Sequence, residues 1–249
     1  MAEEVVSIAL LYPELLGTYG DGGNAVVLTQ RLRWRGIPAE VVTVRAGEPV
    51  PAGCQIYLLG GGEDGPQSLA ARELSTGGAL GRAVAGGSAV LAVCAGFQVI
   101  GREFLGPDGE VHEGLGLLDC TTRRGPGARR VGEIVVSTDG TSGVGTLTGY
   151  ENHAGVTSLG PDVQPLGRVE VGRGNDTGDA SEGAVSGRVV GTYLHGPVLA
   201  RNPELADLLL SWVAGPLDPL PAPEIEDLRR ERMGAASQRR RLWPFGRAQ

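Results

Sequence analysis

The 249-residue chain contains no lysine, and all 22 of its basic residues are arginine. With its surplus of Gly, Ala, Val and Pro, that bias points to a GC-rich genome rather than to a function. Aromatic residues make up only 4% of the chain, and there are three histidines. Long apolar runs are missing, so no segment is expected to span a bilayer. The start, MAEEVVSIALLYPELL, has an acidic n-region and is interrupted by Pro13, which argues against a signal peptide. The three cysteines, Cys54, Cys94 and Cys120, are odd in number and widely spaced. They form no CxxC pair and no Cys/His zinc spacing, which excludes a disulfide framework and a structural zinc site. A reducing cytoplasm and no metal are the expectation.

Glycine is abundant, with 42 residues, so the chain turns often and lets backbone approach backbone. The length suits one large domain or two small ones, with enough interior for a real core. The net charge of −7 is unevenly spread. From Arg229 to Gln249 the chain carries seven arginines and one acid, while the rest carries 15 arginines and 28 acids. An acidic body argues against nucleic-acid binding by the main domain. The expected division is a domain over 1–214 and a Pro-rich linker with an Arg-rich, partly disordered tail over 215–249. Arginines around Trp243 and Phe245 suit peripheral contact with an anionic membrane face. A loose end is the plainer reading.

The first half alternates strand and helix patterns. VVSIALLY, AEVVTV, QIYLL and SAVLAV read as strands. AVVLTQRLRWRG, closed by Gly36, reads as a helix, as do SLAARELS and ALGRAVAG. Near-continuous apolar strands separated by helices predict an α/β fold with a largely parallel sheet covered on both faces. The second half is richer in short strands: GEIVVS, VGTLTGY, PLGRVEVG, GAVSG and RVVGTYL. These predict extra antiparallel strands. NPELADLLLSWV reads as a helix with Asn202 as N-cap and Pro203 in its first turn.

The chemistry concentrates at AVLAVCAGFQVIG. Cys94 falls at the carboxyl end of a buried strand and before a helix, where ligands bind in open α/β sheets. Small neighbours, Ala92, Ala95 and Gly96, fit the strand–turn–helix elbow that exposes a nucleophile. A helix N-terminus there favours a thiolate, and free backbone N–H groups can hold an oxyanion. A buried packing cysteine has the same local pattern. Three further features favour the nucleophile. YLLGGGEDGPQ lets backbone at Gly61 and Gly62 approach a substrate. Its GxGxxG match is weak, because the ribose-binding acid of a dinucleotide site is missing. His195 in VVGTYLHGPV is placed to serve as base. His153 in GYENHAG is a rival, whereas His112 sits in a Gly-rich loop and is expected to be exposed. Gln98, four residues after Cys94, can face an amide substrate from the first helical turn.

Taken in order, YLLGGGEDGPQ, AVCAGFQ and GTYLHGP resemble a class I glutamine amidotransferase, over about Val5 to Val213. GYENHAG and TYLHGP resemble the cobyric acid synthase-like branch. YGDGGN, VLTQRLRWRGI and GRGNDTGDASEG are similar to the glutaminase subunits of lipid II isoglutaminyl synthases. The resemblance implies a flavodoxin-like fold and hydrolysis of L-glutamine through a Cys94 thioester, with His195 as general base and acid. It implies an oxyanion hole at Gly62 and Ala95, with Gln98 and the Gly61 backbone near the substrate. It implies an arginine for the α-carboxylate; by spacing Arg129 fits better than Arg130. It implies no cofactor in this chain, with ATP and magnesium in a Mur ligase-like synthetase that forms a heterodimer with it and takes the ammonia to lipid II.

Class I enzymes often carry a glutamate two residues after the histidine. Here that position is Pro197. The resemblance therefore implies that the partner supplies the acid that orients the imidazole, and that the lone chain is weakly active. Ammonia supply to another synthetase, such as one amidating a corrin ring, stays open. So do an inactive amidotransferase-like binding module and a cysteine hydrolase unrelated to glutamine.

Overall fold

The computed structural model describes residues 5–106, 108–140 and 143–242. The first half follows the alternating pattern: β1 (Val6–Leu11), α1 (Gly23–Arg33), β2 (Ala39–Val44), β3 (Ile56–Leu59), α2 (Asp64–Ser75), α3 (Ala79–Ala85), β4 (Ala89–Val93) and α4 (Ala95–Ile100). The second half adds β5 (Glu103–Leu105), β6 (Val111–Glu113), β7 (Cys120–Arg124), β8 (Arg130–Ser137), β9 (Leu147–His153), β10 (Gly155–Leu159), β11 (Gly167–Val171), β12 (Ser181–Glu182), β13 (Ala184–Ser186) and β14 (Val189–Thr192). Three helices close the described chain: α5 (Val198–Arg201), α6 (Pro203–Ala214) and α7 (Pro223–Leu242).

The central sheet has the order β13-β14-β4-β3-β1-β2. All its pairings are parallel except that of β13 with β14. Every residue of β3 and β4 is buried, as an apolar run covered on both faces requires. β2 lies at the edge, and Val41 on it is exposed. On the sheet, α1 packs with α5 and α6, and α2 packs with α4. Gly191 in β14 makes room for α4: a Cβ there would lie 2.0 Å from Phe97 Cδ2.

Two four-stranded sheets hold the remaining strands, in the orders β10-β7-β5-β6 and β12-β11-β8-β9. The second matches the antiparallel reading of GEIVVS, VGTLTGY and PLGRVEVG. The first was not foreseen, and it places His112 on β6 rather than in a loop. There His112 is half-buried, pairs with Asp108 and stacks on Phe104 at 5.6 Å. Asn202 stands at the N-cap position of α6 as expected, but its side chain is used elsewhere. Its side chain does not cap α6; its Nδ2 donates to the Thr148 and Val198 carbonyls, and its Oδ1 accepts from Thr148 N–H. Within the stretch expected as linker and tail, residues 223–242 form the twenty-residue helix α7. It packs on β8, β9 and β11, and Arg229 grips Glu204 on α6 at 2.6 Å. Trp243 and Phe245 lie outside the described residues. No helix among the described residues is long and apolar enough to cross a membrane.

Candidate active site

Cys94 ends β4 with φ +52° and ψ −104°, a conformation that a non-glycine residue adopts only under constraint. The constraint is visible on both sides. Cys94 N–H donates to the Thr192 carbonyl of β14, and Gly96 N–H donates to the Gly60 carbonyl beyond β3. A Cβ on Gly96 would lie 2.7 Å from Leu59 Cβ and 3.0 Å from the Gly60 oxygen, so this turn admits only glycine. The thiol is aimed at the Asn152 carbonyl, 3.9 Å away. This is the elbow that the small residues around Cys94 suggested.

His195 lies just past β14 and is pinned by two backbone hydrogen bonds with Tyr150 of β9, at 2.9 and 3.0 Å. Its Nδ1 is 3.0 Å from Asp21 Oδ2, and both side chains are almost fully buried. The same Asp21 oxygen accepts from Gly61 N–H at 2.9 Å. The imidazole Nε2 makes no well-formed hydrogen bond among the described residues. Cys94 nevertheless acts on this ring. Burial alone would lower the imidazole pKa, but the bonds and charges of Asp21 and Cys94 outweigh it and raise it to about 9. Tyr19 covers the ring at a centroid distance of 4.7 Å.

A cleft opens at Cys94, lined among others by Gln67, Gln98, Arg129, His153 and Gly155. Arg123 and Arg124 also line it, and among the described residues no carboxylate does. The cleft therefore suits a small anionic or zwitterionic substrate. One wall is a chain of polar groups. Gln67 Nε2 donates to Gln98 Oε1 at 2.8 Å, and Gln98 Nε2 donates to Tyr193 Oη at 3.1 Å. Tyr193 Oη meets Thr157 Oγ1 at 2.6 Å.

The CobB/CobQ-like glutamine amidotransferase domain family matches residues 7–203. The chain belongs to this family. A Staphylococcus aureus protein, the lipid II isoglutaminyl synthase (glutamine-hydrolyzing) subunit GatD, is 40% identical over 197 residues, 78% of this chain and 79% of that one. The Streptococcus pneumoniae protein of the same name is 34% identical over 208 residues, 83% and 79% of the two chains. The cobyric acid synthase of Rhodobacter capsulatus is 35% identical over 164 residues, but these span only 32% of its length. A crystal structure of a glutamine amidotransferase shares the fold, with a TM-score of 0.58 at 22% identity, over 83% of this chain and 98% of that one.

Against the needs of an amidotransferase, the expected residues divide. Cys94 and His195 come together across the β4–β14 boundary. Gly62 and Ala95 both line the cleft, and no backbone hydrogen bond among the described residues claims either N–H. Gly61 is corrected: its N–H is committed to Asp21 and is not free for a substrate. Gln98 lines the cleft, but its amide is already held at both ends. Arg129 reaches the cleft while its Nε binds Asn152 Oδ1 at 2.5 Å. Arg130 is instead paired with Asp176. His153, the rival base, has Nδ1 2.9 Å from the Gly155 carbonyl oxygen and Nε2 3.9 Å from Glu151. Its ring stacks on Tyr193 at 3.8 Å, and no hydrogen bond joins it to Cys94.

A partner was expected to bring the acid to the imidazole. Nδ1 of His195 already faces a carboxylate of this chain, Asp21. Asp21 lies in YGDGGN and was not singled out in the sequence. The one available signal was that an acid lay within a motif shared with the resembling family. Gln67 was missed although it ends YLLGGGEDGPQ, because α2 had to be placed before its side chain had a direction.

Proposed function

We propose that this chain hydrolyses L-glutamine and passes the ammonia to an ATP-dependent, Mur ligase-like synthetase that amidates D-glutamate in the lipid II stem peptide. The observation that carries the hydrolytic part is the strained Cys94 beside His195, at the edge of a cleft lined by arginines. The Cys94 thiolate adds to the carboxamide carbon. The resulting oxyanion is held by the N–H groups of Gly62 and Ala95. The His195 imidazolium protonates the leaving nitrogen, ammonia departs, and a glutamyl thioester remains. Neutral His195 then takes a proton from water, which attacks the thioester and releases glutamate. Arg129 receives the substrate α-carboxylate.

Similarity to the two GatD proteins over most of their length supports the acceptor. The test measures glutamate release by wild type and Cys94→Ala, followed by isolation of the synthetase that co-purifies with the chain. Loss of release in Cys94→Ala and transfer of amide nitrogen from glutamine to lipid II are expected. Release that survives the substitution would overturn Cys94 as nucleophile, and a co-purifying synthetase that amidates a corrin would redirect the acceptor.

A further inference from the structure

The segment Asp21–Asn24 meets the segment His195–Leu199 at three successive points. Asp21 Oδ2 lies 3.0 Å from His195 Nδ1. Gly23 packs on Pro197 so closely that a Cβ would lie 2.4 Å from Pro197 Cγ. Asn24 Oδ1 accepts from Leu199 N–H at 3.0 Å. This seam lies between the end of β1 and the end of β14, two strands that are not neighbours in the sheet. A turn with only a connecting role has no need of it. Asp21 is 2% exposed, and its Oδ1 has no partner among the described residues. Its stabilising contacts are therefore the imidazole and the Gly61 N–H. Gly61 directly precedes Gly62, which lines the cleft.

We propose that Asp21 is a positioning residue with two tasks: it fixes the proton of His195 on Nδ1 and, through the same oxygen, holds the Gly60–Gly62 backbone in place for the oxyanion. The inference rests on the hydrolytic reading of Cys94 and His195, and it assigns the orienting acid to this chain. Nδ1–H donates to Asp21, so the Nε2 lone pair is left for the thiol. Taking one carboxylate oxygen for both tasks couples base and oxyanion loop. The groups facing the imidazole are Asp21, Cys94 and Tyr19. Behind Tyr19 stand Arg129 and Glu63, each 3.4 Å from its hydroxyl.

The experiment uses the full chain labelled with 15N-histidine, as wild type and Asp21→Asn. It records the ring-nitrogen signals of His195 and the iodoacetamide alkylation rate of Cys94 across pH 5–10. In wild type, neutral His195 is expected to carry its proton on Nδ1. In Asp21→Asn the imidazole titration should fall by about one to two pH units. Alkylation near neutral pH should slow by about tenfold for each unit lost. A purely structural Asp21 would lower stability and leave both pH profiles in place, which would overturn the proposal. If Asp21→Asn fails to fold, the wild-type spectrum decides: a proton on Nε2 of neutral His195 refutes the inference, and one on Nδ1 sustains it. Both readouts work without glutamine, so they stand apart from any failure of the glutaminase reading.

Discussion

Glu182 offers a sharp test of the interior. Its carboxyl is fully buried between β11 and β14, with Oε1 accepting from Thr192 Oγ1 at 2.9 Å and Tyr193 N–H at 2.7 Å. Oε2 has no partner among the described residues. Burial, with a smaller push from the Glu151 charge, raises its pKa from 4.5 to about 8, against the two hydrogen bonds. The folded state therefore holds this proton more tightly than the unfolded chain does. The contribution of Glu182 to stability is greatest where both states are protonated, below about pH 4.5, and declines as pH rises to about 8. Each unit is worth roughly 1.4 kcal/mol, so the loss is about 3 kcal/mol at pH 7 and about 5 kcal/mol above pH 8. Glu182→Gln keeps the Oε1 acceptor and removes the titration. Urea melts of wild type and Glu182→Gln should differ by under about 1 kcal/mol at pH 5, with the variant gaining steadily toward pH 8. A gap that stays constant with pH, or a variant that weakens as pH rises, would refute the reading of Glu182 as a buried neutral acid.

Two further outcomes concern packing. Gly191→Ala drives a methyl into the Phe97 ring and should cost about 1–3 kcal/mol, seen as a drop in Tm by calorimetry; an unchanged Tm would contradict the close approach of α4 to β14. Asp207 on α6 takes two bonds of 2.6 Å from Arg31 and one of 2.8 Å from Arg35, and these guanidiniums are nearly buried. Burial opposes its charge, but the two arginines outweigh that and hold its pKa below the ordinary value. Asp207→Asn should therefore cost about 2–4 kcal/mol at pH 7. The difference from wild type should shrink in acid, as Asp207 protonates; a difference independent of pH between 7 and 3 would argue against the ion cluster.

The central sheet was legible because its strands are short apolar runs closed by glycines, and covered strands of that kind admit few other readings. The sheet of β5, β6, β7 and β10 was not legible. Its strands are three to five residues long and carry charged residues such as Arg123, Arg124 and Glu113, so neither periodicity nor apolar content marks them. Cys94 and Gln98 stood out because a strand–turn–helix elbow is a local pattern. Asp21 did not, because it is 174 positions from His195 and only the folded sheet brings the two together. The same holds for Gln67, whose reach to Gln98 depends on how α2 leans on α4.

The insertion of β14 beside β4 has a consequence for the growing polypeptide. Cys94 leaves the ribosome with 101 residues still to be made before His195 follows. At about 5–20 residues per second that interval is on the order of 5–20 s. Through all of it the cysteine has neither the imidazole nor the β14 carbonyl that holds its turn. A nascent or truncated chain lacking residues 189–201 thus carries an ordinary thiol. On the proposed mechanism, ammonia release begins only once β14 has docked, so unfinished copies would not drain the glutamine pool.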